Sequence, residues 1–427
     1  MFTHTLLSTF SFLVIAAAAA PVDESWVQPR DSPVHELFYK RAPNPSDPNF
    51  ASNYPAPGST PPTDSLPQAW TDKLKTINLP DVQPSSPNNG YPTYADGETP
   101  YDQKICSFTY QCTTDEDLYN PPSGVLALSF DDGPGDASPD LYSFLAANNI
   151  STAATHFMIG GNIVYNPTGM QAAVDAGGLI GVHTWSHQYT TTLSNEGVLG
   201  ELGWTMQIIS DLNGGRIPKY WRPPYGDVDN RVRAIAKGVF GLETVVWNTD
   251  SADWAIGSDA RYTHDSVVSQ VNQWLSGNKT NGLLLLEHEI QQTEVDVFKA
   301  IFPSIGSNGW TIKNVADAWG MDWYVNSGKT NTEAITTMSV GASTLAVTNQ
   351  TTSQQSSTSA SASASVSTTS GSASTTSAQV ASSTSTSSAT AAAAANSGSS
   401  SSASSTLMIP GFSLAGLGFL TALFLQV

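Results

Sequence analysis

A short apolar run, Leu126-Ala127-Leu128-Ser129-Phe130, stops at two adjacent carboxylates, Asp131 and Asp132, and then at Gly133-Pro134. Two like charges side by side at a strand end repel each other and lose hydration, which is costly unless a cation or a proton is shared there. A second apolar run, 179–182, delivers His183-Thr184-Trp185-Ser186-His187. Two imidazoles four apart plus one carboxylate form a common ligand set for zinc, with a coordination position left for water. The other carboxylate is then free to deprotonate that water. Taken alone, the Asp-Asp-Gly-Pro turn is equally an Asx-turn cap, and the histidine pair is equally structural. Together, in a chain of only seven histidines, they imply metal-assisted hydrolysis.

Further segments offer complementary chemistry. In Arg222-Pro223-Pro224-Tyr225-Gly226 the prolines fix φ and remove donors, so the first backbone N–H after them belongs to Tyr225. A stiff loop can aim that group at a developing oxyanion, while Arg222 can pair with Asp131; otherwise the segment is a turn with a surface arginine. In Asp250-Ser251-Ala252-Asp253-Trp254 a carboxylate beside an imidazole would keep the histidine protonated as an acid, and His288, ending Leu283-Leu284-Leu285-Leu286-Glu287, is the obvious partner. His156 has no evident partner and reads as a core residue; His264 and Asp265 read as helix-capping surface residues. Trp185, Trp221, Trp247 and Trp254 lie near these segments in sequence, suited either to sugar stacking or to core packing.

The elements that must position these groups alternate. Strand candidates are 125–130, 152–157, 179–183, 220–222, 243–248 and 283–288, separated by helical stretches at 139–148, 169–176, 195–211, 230–237 and 266–275. The helix from 195 has Ser194 as N-cap and ends at Asn213-Gly214-Gly215. Short apolar strands covered by helices imply an α/β fold with a parallel sheet, closed or nearly so, whose strand C-termini carry the polar residues to one rim.

The flanks follow a different logic. The 427-residue chain opens with an apolar stretch over 6–20, read as a signal peptide spanning 1–20. Residues 21–100 read as a propeptide and irregular arm, with a dibasic Lys40-Arg41 and sparse apolar points at Trp70 and Leu74. Residues 343–406 are almost all Ser, Thr and Ala, an extended stalk with too little apolar surface to fold. An uncharged apolar tail, 407–427, follows a small-residue site at Asn396-Ser397-Gly398 and a polar spacer, the order of a lipid (GPI) anchor signal with Asn396 as the attachment residue. The membrane is reached through that anchor alone. Cys106 and Cys112, in a secreted chain, are expected to close a local disulfide, and Asn149, Asn278 and Asn349 begin N-glycosylation triplets. Lys and Arg total 17 against 36 Asp and Glu, a net charge of -19 that repels nucleic acid. A monomer is expected.

Ser129 to Pro134, His183 to His187, Arg222 to Tyr225, Asp250 to Trp254 and Leu285 to His288, in that order, resemble the signatures of the polysaccharide deacetylase family, carbohydrate esterase family 4. The resemblance covers roughly residues 101–325. It implies a distorted (β/α) barrel and metal-dependent N-deacetylation of polymeric N-acetylglucosamine. It also implies Asp131 as base, Asp132, His183 and His187 as ligands of zinc (or cobalt), and Arg222 as the group orienting the base. Asp253 would tune His288 as general acid, Tyr225 would supply its N–H, and Trp254 and Leu286 would shape the acetyl pocket. Gly178 to Val182 and Glu287-His288-Glu289 depart from common family patterns, the latter from forms with Asp after the histidine. With a fungal cell-surface address, chitin is the expected substrate; peptidoglycan, acetylxylan, or a silent carbohydrate-binding wall protein are the alternatives.

Overall fold

The computed structural model describes residues 43–342 apart from Asn89 and Asp96. The expected signal peptide 1–20, residues 21–42 with Lys40-Arg41, the stalk 343–406 and the tail 407–427 lie outside the described residues, as do Asn349 and Asn396. No helix among the described residues is long and apolar enough to cross a membrane.

An antiparallel hairpin comes first, β1 (Ser86–Asn88) and β2 (Tyr91–Thr93). There follow β3 (Val125–Ala127), β4 (Ser129–Asp131), β5 (Thr155–Met158), β6 (Leu179–Val182), β7 (Tyr220–Trp221), β8 (Glu243–Thr244), β9 (Thr249–Asp250), β10 (Leu285–Leu286) and β11 (Thr311–Lys313). β4 to β8 form one parallel five-stranded sheet in chain order. The segment leaving β8 crosses to pair, as β9, with β10. The chain around β10 then returns to the first strand through parallel bridges Leu126↔Leu283 and Asp131↔His288. Those contacts close the ring, and β11 adds to its outside along β3. The architecture is thus the expected distorted (β/α) barrel. β3 to β6 are buried at every position, which is why they read as continuous apolar runs.

Four expected strands differ by more than a residue: the one over 125–130 is interrupted at Leu128 into β3 and β4, and the one over 283–288 is regular only at Leu285–Leu286. Residues 151–153 form a 3-10 turn, so the strand expected from 152 starts at Thr155. The strand expected over 243–248 splits because its partner changes: Val245 N–H still bonds Trp221, whereas Asn248 N–H bonds Leu284. The helix Asn195–Leu212 begins as anticipated, with Ser194 Oγ accepting the Gly197 N–H at 3.1 Å. Capping of helix His264–Leu275 falls instead to Thr263, whose hydroxyl accepts the Ser266 N–H; His264 is merely its first residue. Helix Gln292–Ser307 was not anticipated; Pro303 inside it disguises the pattern.

Residues of the N-terminal arm enter the core. Helix Gln68–Leu74 presses Trp70 onto Asn195–Leu212 at Gly203, where a Cβ would lie 2.4 Å from the indole. The indole is buried, donates to the Val340 carbonyl at 2.9 Å, and meets Trp204 and Phe240 edge-on. Replacing a buried indole by Ala typically costs about 3–5 kcal/mol. Trp70→Ala is therefore expected to lower the unfolding free energy by that amount, checked by urea unfolding; a change below about 1 kcal/mol would show that the arm is dispensable.

Candidate metal centre and surrounding site

The two adjacent aspartates are handled differently from the backbone upward. Asp131 ends β4, is 1% exposed, and accepts a hydrogen bond at 2.7 Å from Arg222 Nη1 through Oδ1. Arg222 is itself fully buried, donates to Ser129 Oγ at 2.9 Å and lies over the Phe157 ring. Burial lowers its pKa, an effect opposed by Asp131. The next residue turns away: Asp132 has φ 72, a left-handed conformation that redirects its carboxylate out of the strand's alternation.

That carboxylate meets the imidazoles. Asp132 Oδ1 lies 3.1 Å from Nε2 of His183 and 3.1 Å from Nε2 of His187. Neither contact has hydrogen-bond geometry, and Oδ1 is a buried acceptor with no hydrogen-bond partner among the described residues. The three atoms face a common point, all within 4.8 Å of one another. Burial pushes the Asp132 pKa up, but the two imidazoles outweigh it and hold the group well below the usual carboxylate range. His183 Nδ1 bonds the Arg222 carbonyl at 2.8 Å, and a carbonyl can only accept, so Nε2 carries the lone pair. His187 Nδ1 lies 3.1 Å from Tyr225 Oη. One carboxylate and two oriented imidazoles fit a divalent metal ion.

The histidine turn is strained, with φ 62 at Thr184 and φ 58 at His187, and is braced from below. Buried Glu201 of helix Asn195–Leu212 accepts the N–H groups of Trp185 at 2.7 Å and Ser186 at 2.8 Å. The sequence reading missed this residue. Its signal was a charged side chain among Val198, Leu202 and Thr205 on a buried helix face.

Across the rim, Asp253 Oδ1 is 2.7 Å from His288 Nδ1, and Oδ2 accepts the His288 N–H at 2.9 Å. The Trp254 N–H also donates to Oδ1, at 2.8 Å. Burial lowers the His288 pKa, yet Asp253 overrides it and raises the imidazole well above its ordinary value. Backbone pairing places His288 beside Asp131. Leu286 is buried on β10, its carbonyl bonded by Ser251 Oγ at 2.7 Å, while Trp254 and Tyr225 are 48% and 52% exposed. Tyr225 has φ 58 and packs edge-on against His187. The structure thus gathers Asp131, Asp132, His183, His187, Arg222, Tyr225, Asp253, Trp254, Leu286 and His288 on the barrel rim.

Other singled-out residues lie elsewhere. Cys106 and Cys112 are disulfide-bonded, with S–S 2.06 Å, beside the turn Phe108–Tyr110; Phe108 packs on Gly226 of the Tyr225 loop. Asn149 and Asn278 are exposed. Trp185 and Trp221 are core residues and Trp247 packs edge-on against Phe108, so of the four tryptophans only Trp254 offers an exposed face.

The partnerless reading of His156 is corrected. Its Nδ1 lies 2.7 Å from Glu289 Oε2, both side chains buried, and Tyr142 Oη donates to Oε1 at 2.9 Å. Burial and Glu289 together raise the Tyr142 phenol well above its usual range. The carboxylate fills the space beside Gly133, where a Cβ would fall 1.7 Å from Oε1. Glu289 therefore supports the Asp131-Asp132 turn from beneath. Next to His288, Glu287 is buried without a hydrogen-bond partner for either oxygen among the described residues; burial raises its pKa well above the carboxylate range.

The family model described as polysaccharide deacetylase matches residues 119–243. A protein of Cryptococcus neoformans var. neoformans named chitin deacetylase 3 is 57% identical over 353 residues, covering 82% of this chain and 86% of its own length. Chitin deacetylase 1 of C. neoformans var. grubii is 33% identical over 317 residues, covering 68% and 64%. The solved chitin deacetylase of Colletotrichum lindemuthianum is 26% identical, with a TM-score of 0.45, over 49% of this chain and 94% of its own. The chain belongs to the polysaccharide deacetylase family.

Removing the Glu289 carboxylate would orphan both His156 Nδ1 and Tyr142 Oη in the interior, each at about 1–3 kcal/mol. Glu289→Ala is expected to destabilise the fold by about 2–6 kcal/mol in chemical denaturation. Wild-type stability in that variant would mean the network carries no load.

Proposed function

We propose that this protein hydrolyses the N-acetyl groups of chitin, leaving glucosamine units and releasing acetate. The observation that carries the reading is the division of labour between neighbouring aspartates: Asp132 faces two imidazole Nε2 atoms, and Asp131 is held apart by Arg222. The chemistry named for the similar fungal proteins supplies the substrate. Asp132, His183 and His187 would hold zinc, which when bound acts as a Lewis acid on the acetamide carbonyl and lowers the pKa of water from ~15.7 towards ~7.

The chain's own groups do the remaining work. Arg222 occupies Asp131 Oδ1, while Oδ2 sits 4.0 Å from His183 Nε2, at the edge of the metal centre. Asp131 takes a proton from the attacking water as its oxygen adds to the carbonyl carbon. The Tyr225 N–H, the first available after two prolines, donates to the oxyanion. Nε2 of His288, its Nδ1 fixed by Asp253, protonates the amide nitrogen as the C–N bond breaks, so one water is consumed and one acetate and one amine result. Leu286 and Trp254 border the space for the acetyl methyl. The Ser/Thr stalk and apolar tail support a fungal cell-surface protein held by a lipid anchor at Asn396, acting as a monomer.

Acetate release from chitin oligomers tests the reading. A general base contributes roughly 10²–10⁴-fold, so Asp131→Asn should lower kcat by that factor with the fold retained, and release at the wild-type rate would overturn the assignment. Chelator should abolish activity and zinc restore it. The acid makes a second prediction. A raised His288 pKa keeps the imidazole protonated, hence competent, through neutral pH, with activity lost only as pH climbs past that raised value. Asp253→Asn removes the cause, so the alkaline limb of the kcat–pH profile should move to lower pH; an unmoved limb would exclude His288 as the acid.

A further inference from the structure

A row of tyrosines runs outward from the metal centre. Tyr225, in contact with His187, stacks on Tyr189 with ring centroids 4.2 Å apart and planes at 21°. Tyr189 Oη reaches the β1–β2 hairpin, 3.6 Å from where a Cβ on Gly90 would stand, and Tyr189 and Tyr91 line one shallow depression there. Beyond it Tyr91 meets Tyr110 at 5.7 Å, and Tyr110 meets Tyr101 at 5.7 Å.

This row does not belong to the core. Of the six large apolar side chains exposed among the described residues, Tyr91, Tyr101 and Tyr225 lie in it, and Trp254 flanks the same centre. Nor is the hairpin a loose appendage. The Ser85 N–H, at its base, donates to the Thr191 carbonyl at 2.8 Å, and the two hydroxyls are 2.6 Å apart. Thr191 in turn donates its N–H at 2.8 Å to Asp227, which follows the Tyr225 turn. Tyr110 Oη donates to the Pro92 carbonyl at 3.1 Å. The hairpin is thus tied through buried groups to the loops that carry Tyr189 and Tyr225.

We propose that this row is an extended binding site on which further sugar rings of an N-acetylglucosamine polymer lie, beyond the unit whose acetamide reaches the metal centre. The proposal rests on the deacetylase reading above. Tyrosine offers a large, rigid surface with a polar tip at low entropic cost, suited to a ring that has apolar faces and hydroxyl edges. Continuity with the reacting centre selects this occupant: a polymer with one unit at His187 meets Tyr225, then Tyr189, then the hairpin. The outer part of the row, Tyr91, Tyr101 and Tyr110, is supplied by residues before 119, outside the span matched by the family model.

The test uses the ectodomain with its arm intact and compares kcat/KM on an N-acetylglucosamine hexamer and dimer. Tyr91→Ala and Tyr101→Ala are each expected to lower the hexamer-to-dimer ratio by about 2- to 10-fold, and Tyr91→Phe to restore most of it. Both rings are exposed, so thermal unfolding should stay near wild type. An unchanged ratio in both variants overturns the proposal, as does a wild-type ratio near one. Absence of acetate release from any oligomer by the wild-type protein would instead overturn the deacetylase reading and this extension with it.

Discussion

Two carboxylates joined by a single peptide bond must serve one site without acting on each other, and much of the local structure follows from that constraint. In a regular strand, neighbours point to opposite faces and could not share a site. Here the strand stops at Asp131, and the left-handed turn at Asp132 returns the second carboxylate to the same rim. Arg222 then engages one group and the imidazole pair the other. Each negative charge thus has its own compensation, without which holding it in the interior would be costly.

The site is consequently made of strained loops on a stiff ring. Asp132, Thr184, His187, Tyr225 and Ala252 all have positive φ, and all lie in the rim loops. Non-glycine residues hold such conformations only where their surroundings over-determine them. Glu201 does this for the histidine turn, Glu289 for the aspartate turn, and the paired prolines for Tyr225. Gly160 contributes by absence of a side chain, since a Cβ would lie 2.4 Å from the Trp185 ring within the histidine turn.

The arm before the barrel is part of this scaffold. Phe50, Tyr54 and Trp70 join the core, and the Ala56 carbonyl accepts the Trp185 indole N–H at 3.2 Å, tying the arm to the histidine turn. Its hairpin also enlarges the surface beside Tyr225.

Much of this was legible in the residues. The apolar runs ending in Asp131, Val182 and Leu286 marked parallel strands and their reactive ends, and Ser194 with Asn213-Gly214-Gly215 marked a helix, because alternation, capping and turn chemistry act over a few residues. The tertiary structure alone decided which distant groups meet. His156 finds Glu289, Glu201 reaches back to the histidine turn, the strand after β8 changes partners midway, and Trp70 docks at Gly203. These pairings depend on a parallel ring that brings together segments far apart in the chain, and on close packing that decides which side chains fit between them. Neither leaves a periodic trace in the order of the residues.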